Sequence, residues 1–284
     1  LLALWLAKEA RAQQVPGISY DKARSFRSER IFLEPDSSNV ERYANRVAFL
    51  DGFGREYVAI DVQGSPIAGY DIVQPFHYGK DGRIDRAYLP CALAGNYGKL
   101  PENPFDPENW QLIGQDKGYA FSPIAYEGRL SGRVVASMKP GKAWHEAGKQ
   151  ATFEYGYNAA EEVRLLAVGA DGSLADEGFY KAGILEKVTA TDEDGRKAET
   201  FTDKDGKTIL TRELLGSEWL ETWYAYDEKG QLRYVFPPEL TKESNFWTDK
   251  EKLGLYAWSF AYDKEGRMVE QKAPGCEPVT YKYE

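Results

Sequence analysis

The residues able to do chemistry are few. His77 and His145 are the only histidines in the 284-residue chain. A hydrolytic triad would need one of them beside a Ser or Cys and an acid, and no Gly-x-Ser-x-Gly elbow is present. His77 lies in Pro75-Phe76-His77-Tyr78 and reads as a strand residue. His145 follows Trp144 in a turn-like block, where packing or capping is the expected role. The acids of Asp192-Glu193-Asp194-Gly195 and Asp203-Lys204-Asp205-Gly206 invite a calcium reading. An EF-hand loop would put an acid first and Glu twelfth around such a Gly. Counting about Gly195 gives Ala190 and Phe201, and about Gly206 gives Phe201 and Arg212, so both loops fail. These aspartates are read as turn formers, and no metal or cofactor is expected. Cys91 and Cys276 are too few for a metal set, which leaves open one disulfide in an exported chain. No spacing singles out a glycosidase pair among 45 acids. Trp219, Trp223, Trp247 and Trp258 could form a sugar-stacking platform, although core packing is the commoner fate. No residue is nominated as catalytic.

The elements that must position these residues follow from composition. Hydrophobic residues make up 42% and charged residues 29%, so a sizeable core can form. A net charge of −9 argues against nucleic acid or an anionic membrane as the main partner. With 19 Tyr, 13 Phe, 7 Trp and 27 Gly, the chain suits strands joined by tight turns.

One short pattern recurs: an aromatic strand, an acidic turn, Gly, a basic or polar residue, then a second strand. Its clearest copies run from Tyr226 through Asp227 and Gly230 to Gln231, and from Tyr262 through Asp263 and Gly266 to Arg267. Earlier copies hold Asp51, Gly54 and Arg55, and Tyr78, Asp81, Gly82 and Arg83. Two more are centred on Asp192 with Gly195 and Asp203 with Gly206, and a looser one is Ser131-Gly132-Arg133 after Tyr126. The Asp accepts backbone N–H groups further round the turn, and the Gly takes positive φ to close a type I turn with a G1 bulge. Replacing Gly230 or Gly266 by Val is therefore expected to cost ~1 kcal/mol or more. Tyr and Arg on facing strands can stack, for ~0.5–1 kcal/mol at an exposed site. A trailing proline (Pro90, Pro140, Pro237, Pro274) ends the ladder. The intervals between the glycines are irregular, which excludes a fixed-period solenoid. The expectation is an all-β fold, an irregular array of antiparallel hairpins forming a curved or spiralling sheet. Its largest insertion lies between Tyr97 and Tyr126, Pro-rich with room for one short helix, and Asn158–Val163 could form a helical turn.

Hairpins of the Tyr-Asp-x-x-Gly-Arg kind with a trailing proline resemble the YD repeats of RHS (rearrangement hot spot) proteins. An ordered series extends the resemblance: Phe49 to Arg55, Asp71-Ile72-Val73, Tyr88-Leu89-Pro90, Ala94-Gly95-Asn96, Pro140 to His145, Thr191 to Gly195 and Leu232 to Pro238. That series is similar to the DUF6443 region near the N-terminus of Bacteroidetes RHS-repeat proteins, over residues 40–240, with YD repeats from 241 to 284. The chain departs from the repeat at Gly79, Gln231, Thr191 and Thr202. The resemblance implies a non-enzymatic, β-rich shell that encloses or presents a C-terminal domain of its own chain, often a toxin used between bacteria. The expected partner is thus that domain or further repeats. Two other classes stay open, a surface module binding a cell-surface glycan or protein, and a glycoside-type hydrolase. The apolar start Leu1–Ala7, with Ala10 and Ala12 spaced as at a signal-peptidase site, is read as part of a signal peptide (1–12). It is far short of the ~20 apolar residues a membrane helix needs. Residues 13–39 are read as a loosely held arm of an exported protein.

Overall fold

The computed structural model describes residues 25–32, 43–128 and 131–284. The signal peptide read over 1–12 lies outside them. Strands dominate, all the ladders between them are antiparallel, and the chain divides into two units, residues 1–150 and 151–284. That division falls inside the span 40–240 that the sequence reading took as one region. Hairpin units recur on both sides of Gln150, so a local motif gives no sign of where one core ends and another begins.

In the first unit, β1 (Phe26–Phe32) pairs along its whole length with β2 (Tyr43–Leu50), and Phe26 packs its ring 6.1 Å from that of Phe49. The arm expected over 13–39 is therefore a paired strand where it is described. β3 (Glu56–Val62) and β4 (Tyr70–Tyr78) continue the sheet. Along the far edge of β4 lie β6 (Cys91–Ala94) and then β5 (Ile84–Tyr88), two halves of one line broken at Leu89-Pro90 because proline cannot donate to the ladder. β7 (Phe121–Tyr126) and β8 (Val134–Ser137) follow. Alternation sends Val47, Phe49, Val58, Ile60, Val73 and Cys91 into one core. The insertion after Tyr97 covers it. A 3₁₀ segment, Pro107–Tyr119, starts at Asp106, whose carboxylate accepts the Glu108 N–H, and breaks at Gly114 (φ 59°). It inserts Trp110 beside Tyr88 (ring centres 5.3 Å apart), with the indole N–H donating to the Leu89 carbonyl at 2.9 Å. Cys91 is buried there, its thiol pushed up to about 12 by loss of water. Cys276, in the second unit, is exposed, and both cysteines are free.

The second unit is one long ladder in the order β9 (Ala151–Tyr157), β12 (Glu186–Thr191), β13 (Lys197–Thr202), β14 (Thr208–Leu215), β15 (Glu218–Tyr226), β16 (Leu232–Phe236), β17 (Trp258–Tyr262), β18 (Met268–Lys272), β19 (Val279–Thr280). A separate hairpin, β10 (Arg164–Val168) with β11 (Leu174–Phe179), adds Leu166 and Val168 to a core with Ala225, Phe236 and Phe246. A second cluster joins Val163 and Leu185 to Phe201, Ile209 and Leu210. Asn158–Val163 is not a helical turn. Asn158, nearly fully buried, accepts N–H bonds from Ile184 and Leu185 and donates to the Lys181 carbonyl, pinning an irregular loop. Strands β5, β16 and β18 stop one or two residues before Pro90, Pro237 and Pro274.

Candidate functional site: a ladder of linked turns

The turn residues form one repeated device. At Asp51, Asp192, Asp203, Asp227 and Asp263 the backbone N–H donates to the carbonyl four residues on, and the Gly N–H donates back to the Asp carbonyl. One carboxylate oxygen of Asp51, Asp192, Asp203 and Asp227 then accepts two further turn amides at 2.8–3.0 Å. Gly54, Gly82, Gly195, Gly206, Gly230 and Gly266 all have φ between 77° and 84°, the left-handed region where a Cβ is strained. Where Gly79 replaces the Asp, the acid moves two positions on, and Asp81 accepts the Arg83 N–H and lies 3.8 Å from its guanidinium. The same variant recurs at Gly169-Ala170-Asp171-Gly172-Ser173, where Asp171 accepts the Ser173 N–H and hydroxyl. That hairpin does not show in the sequence pattern, because Val168 stands where the repeat has Tyr.

Just beyond these turns the register shifts by one residue, leaving Tyr57, Asp85, Ile209, Arg233 and Val269 unpaired across their own hairpin. A bulge takes ladder groups out of pairing, and here the carbonyl just before the bulged residue is capped by the tyrosine of the next hairpin. Tyr78 donates to Glu56 O (2.8 Å), Tyr126 to Ile84 O (2.9 Å), Tyr226 to Thr208 O (3.0 Å), Tyr262 to Leu232 O (3.1 Å) and Tyr283 to Met268 O (2.6 Å). The basic residue of one turn also lies over the ring of the next tyrosine. Arg55 sits 4.1 Å from the Tyr78 ring centre, Arg83 5.2 Å from Tyr126, Lys207 5.7 Å from Tyr226 and Arg267 4.8 Å from Tyr283. Gln231 has no charge to offer Tyr262, yet like Arg55 it donates to the next turn's glycine carbonyl (Gln231 to Gly266, Arg55 to Gly82). Within the two units, five neighbouring pairs are thus joined by a tyrosine hydroxyl, two of them also by a side-chain amide or guanidinium, and four by a cation over the ring. The residue types were legible in the sequence. The partner was not, because it is a backbone carbonyl 15 to 42 residues earlier.

Tyr262→Phe removes one link while keeping the ring. It is expected to lower stability by about 1 kcal/mol, read as a urea midpoint shift, and to speed amide exchange in the preceding turn, Asp227–Gln231. Unchanged exchange there would mean the turns are independent.

The other candidates are locked into structure. His77 Nδ1 and Asp85 Oδ1 lie 2.5 Å apart, and neither side chain bonds a hydroxyl or thiol among the described residues. The bulge at Asp85 brings them together. His145 belongs to a short helix, Lys142–Ala147, rather than a turn, with Nε2 3.0 Å from the Phe121 carbonyl and the ring edge-on to Phe121 and Tyr119. Trp247 is buried, Trp223 packs against Phe246 and donates to Glu221, and Trp219 lies under Arg212. Trp258 opposes Val235 on the other face of the ladder from Trp223, so the four indoles share no platform. No group of three His, Cys, Asp or Glu among the described residues is arranged to hold a metal.

One cluster was missed altogether. Arg212, with a side chain only 12% exposed, bonds Glu199 (Nε to Oε2, 2.6 Å) and Glu162 (2.6 Å), and lies 3.5 Å from Glu221. Lys187 contacts Glu162 and Glu199 at 2.8 and 3.2 Å. Cross-strand register aligns Thr189, Glu199, Arg212 and Glu221 in one row, information that no local motif holds. Burial alone would raise the Glu162 carboxyl, but bonds from Lys187 and the Ala159 N–H, with the nearby Arg212 charge, carry it below its ordinary value. Asp51 is held low by Arg55, Glu127 by Arg133 and Asp171 by Ser173. Depressed folded values mean that the unfolded chain binds more protons at acid pH. The contribution is present above the ordinary carboxylate range and is lost as pH falls through the folded values. The urea midpoint should therefore be level from about pH 7 to 5 and fall steeply below about pH 4; a level midpoint down to about pH 3 would contradict this reading.

With this geometry in hand, residues 25–158 match the family model described as a domain of unknown function, DUF6443. The match begins and ends earlier than the span 40–240 read from the sequence. No curated protein matches the chain. Among solved structures, the crystal structure of TcdB2-TccC3-TEV aligns over 98% of this chain and 13% of that one, at 14% identity and a TM-score of 0.47. The crystal structure of TcdB2-TccC3 aligns over 85% and 15%, at 12% identity and a TM-score of 0.24. The chain thus spans about one seventh or less of the solved chains it matches.

Proposed function

We propose that this chain is a non-enzymatic wall segment of an exported RHS-type shell, built from YD-type hairpins, that encloses or presents another part of its own polypeptide. The observation that carries the reading is the turn-to-turn linkage. A hairpin alone is barely stable, and a device that ties neighbouring hairpins together within each unit suits a sheet extended along its turn edge. The candidate catalytic groups are occupied in ways that suit a wall: His77 by Asp85, His145 by a carbonyl, and Glu162 and Glu199 by Arg212 and Lys187. The enclosed part, on this reading, is a C-terminal domain, a toxin used in competition between bacteria of the Bacteroidetes type. No described helix is long and apolar enough to cross a membrane. Cryo-electron microscopy of the product of the complete reading frame tests the proposal. The expected image is a curved wall of strands with density inside it. A sheet with both faces open to solvent would overturn the proposal.

A further inference from the structure

A cavity of about 490 Å³ lies in the second unit, away from the Arg212 cluster. Its floor is a cross-strand row, Tyr234, Ser259 and Lys272, set directly opposite one another on β16, β17 and β18. One wall is the tip of the β10–β11 hairpin, Asp171 to Leu174, fixed by the Tyr234 hydroxyl donating to the Gly172 carbonyl at 2.8 Å. The opposite wall is Trp247, Thr248 and Lys250 with Leu253 and Gly254. Gly254 adjoins Lys272: a Cβ there would stand 3.6 Å from its Nζ, in ordinary contact.

The lining does not fit its surroundings. In a chain of net charge −9, Lys250 and Lys272 both face this cavity, and neither forms an ion pair among the described residues. Ser259 is likewise unbonded through its hydroxyl, while one oxygen of Asp171 is taken by Ser173. The cavity thus offers two cations, a free hydroxyl, a carboxylate able to accept from a hydroxyl, and an apolar side at Leu174, Leu253 and Trp247. Two ammonium groups without an ion pair complement an anion; a free hydroxyl and a carboxylate beside an apolar side complement a polyol. We propose that this cavity is a binding site for an acidic saccharide, a uronate-containing mono- or disaccharide, with Lys272 and Lys250 on its carboxylate and Ser259 and Asp171 on its hydroxyls. The site goes beyond the wall reading, since a wall needs no such pocket, and it stands or falls separately.

Isothermal titration of the purified chain with digalacturonate tests it, beside neutral digalactose and inorganic sulfate. The expected result is saturable digalacturonate binding that weakens as salt is raised, and no comparable binding of digalactose. Lys272→Gln should weaken it about tenfold, and Ser259→Ala by less, with thermal unfolding unchanged. Gly254→Leu should abolish it by filling the cavity. No binding of digalacturonate, equal binding of digalactose, or indifference to Lys272→Gln would overturn the proposal. Sulfate competing as well as the saccharide would also overturn it, leaving a simple anion site. If Lys272→Gln lowers the unfolding temperature, Lys250→Gln, on the exposed side of the cavity, supplies the decisive comparison.

Discussion

Replacing Arg212 with Met lowers the stability of the second unit by about 3–5 kcal/mol, the cost of stripping the partner from buried charges. The size follows from what remains. Glu162, Glu199 and Glu221 would share only Lys187, which reaches the first two. Glu199 is itself buried and cannot turn to water. Arg212 also lies across the faces of Phe201 and Trp219, at 5.1 and 4.7 Å from the ring centres, so packing is lost with the charge. Urea unfolding followed by tryptophan fluorescence reads the effect. Arg212→Met combined with Glu199→Gln should recover part of the loss, because one uncompensated charge goes with its partner. A loss below about 1 kcal/mol, the scale of an exposed ion pair, would show that the cluster is solvated and carries no structure.

Asp71→Ala is the second large effect, in the first unit. Its side chain is fully buried on β4 and accepts the Gln63 N–H at 2.8 Å and the Gly98 N–H at 2.6 Å, with the Asn96 amide at 3.4 Å. It thereby ties the loop after β3 to the loop after β6. Hydrogen bonds to a charged acceptor are worth roughly 1.5–3 kcal/mol each, so losing two should cost roughly 3–5 kcal/mol. Asp71→Asn keeps an acceptor for one amide and should cost about half as much. Hydrogen exchange gives the local reading: the Gln63 and Gly98 amides lose protection first. If both stay protected in Asp71→Ala, the two loops are held by something other than this carboxylate.

These residues show where the sequence was readable and where it was not. Asp227, Gly230, Asp263 and Gly266 announce their turns because the rule is local: an acceptor, then a residue that tolerates positive φ, within five positions. The prolines at 90, 237 and 274 announce the strand ends for the same reason. Strand β1 was hidden, since Arg27, Glu29 and Arg30 make it look like a loose polar arm until Phe26 meets Phe49. The Arg212 cluster, Asp71 and the Tyr-to-carbonyl links were invisible as contacts, because each depends on register between strands distant in the chain. Asp71 and Tyr262 were noticed as members of a pattern, and the pattern did not say what they bind. The cavity at Lys272 belongs to the same class: Tyr234, Ser259 and Lys272 meet only after β16, β17 and β18 align.

The most direct test of the wall reading is limited proteolysis of the intact product of the complete reading frame, with fragments identified by mass spectrometry. The reading predicts that the segments beyond residue 284 resist protease while the sheet is folded. They should become cleavable when Gly230→Val and Gly266→Val together loosen the linked turns. Cleavage of those segments in the intact protein as fast as in isolation would contradict it.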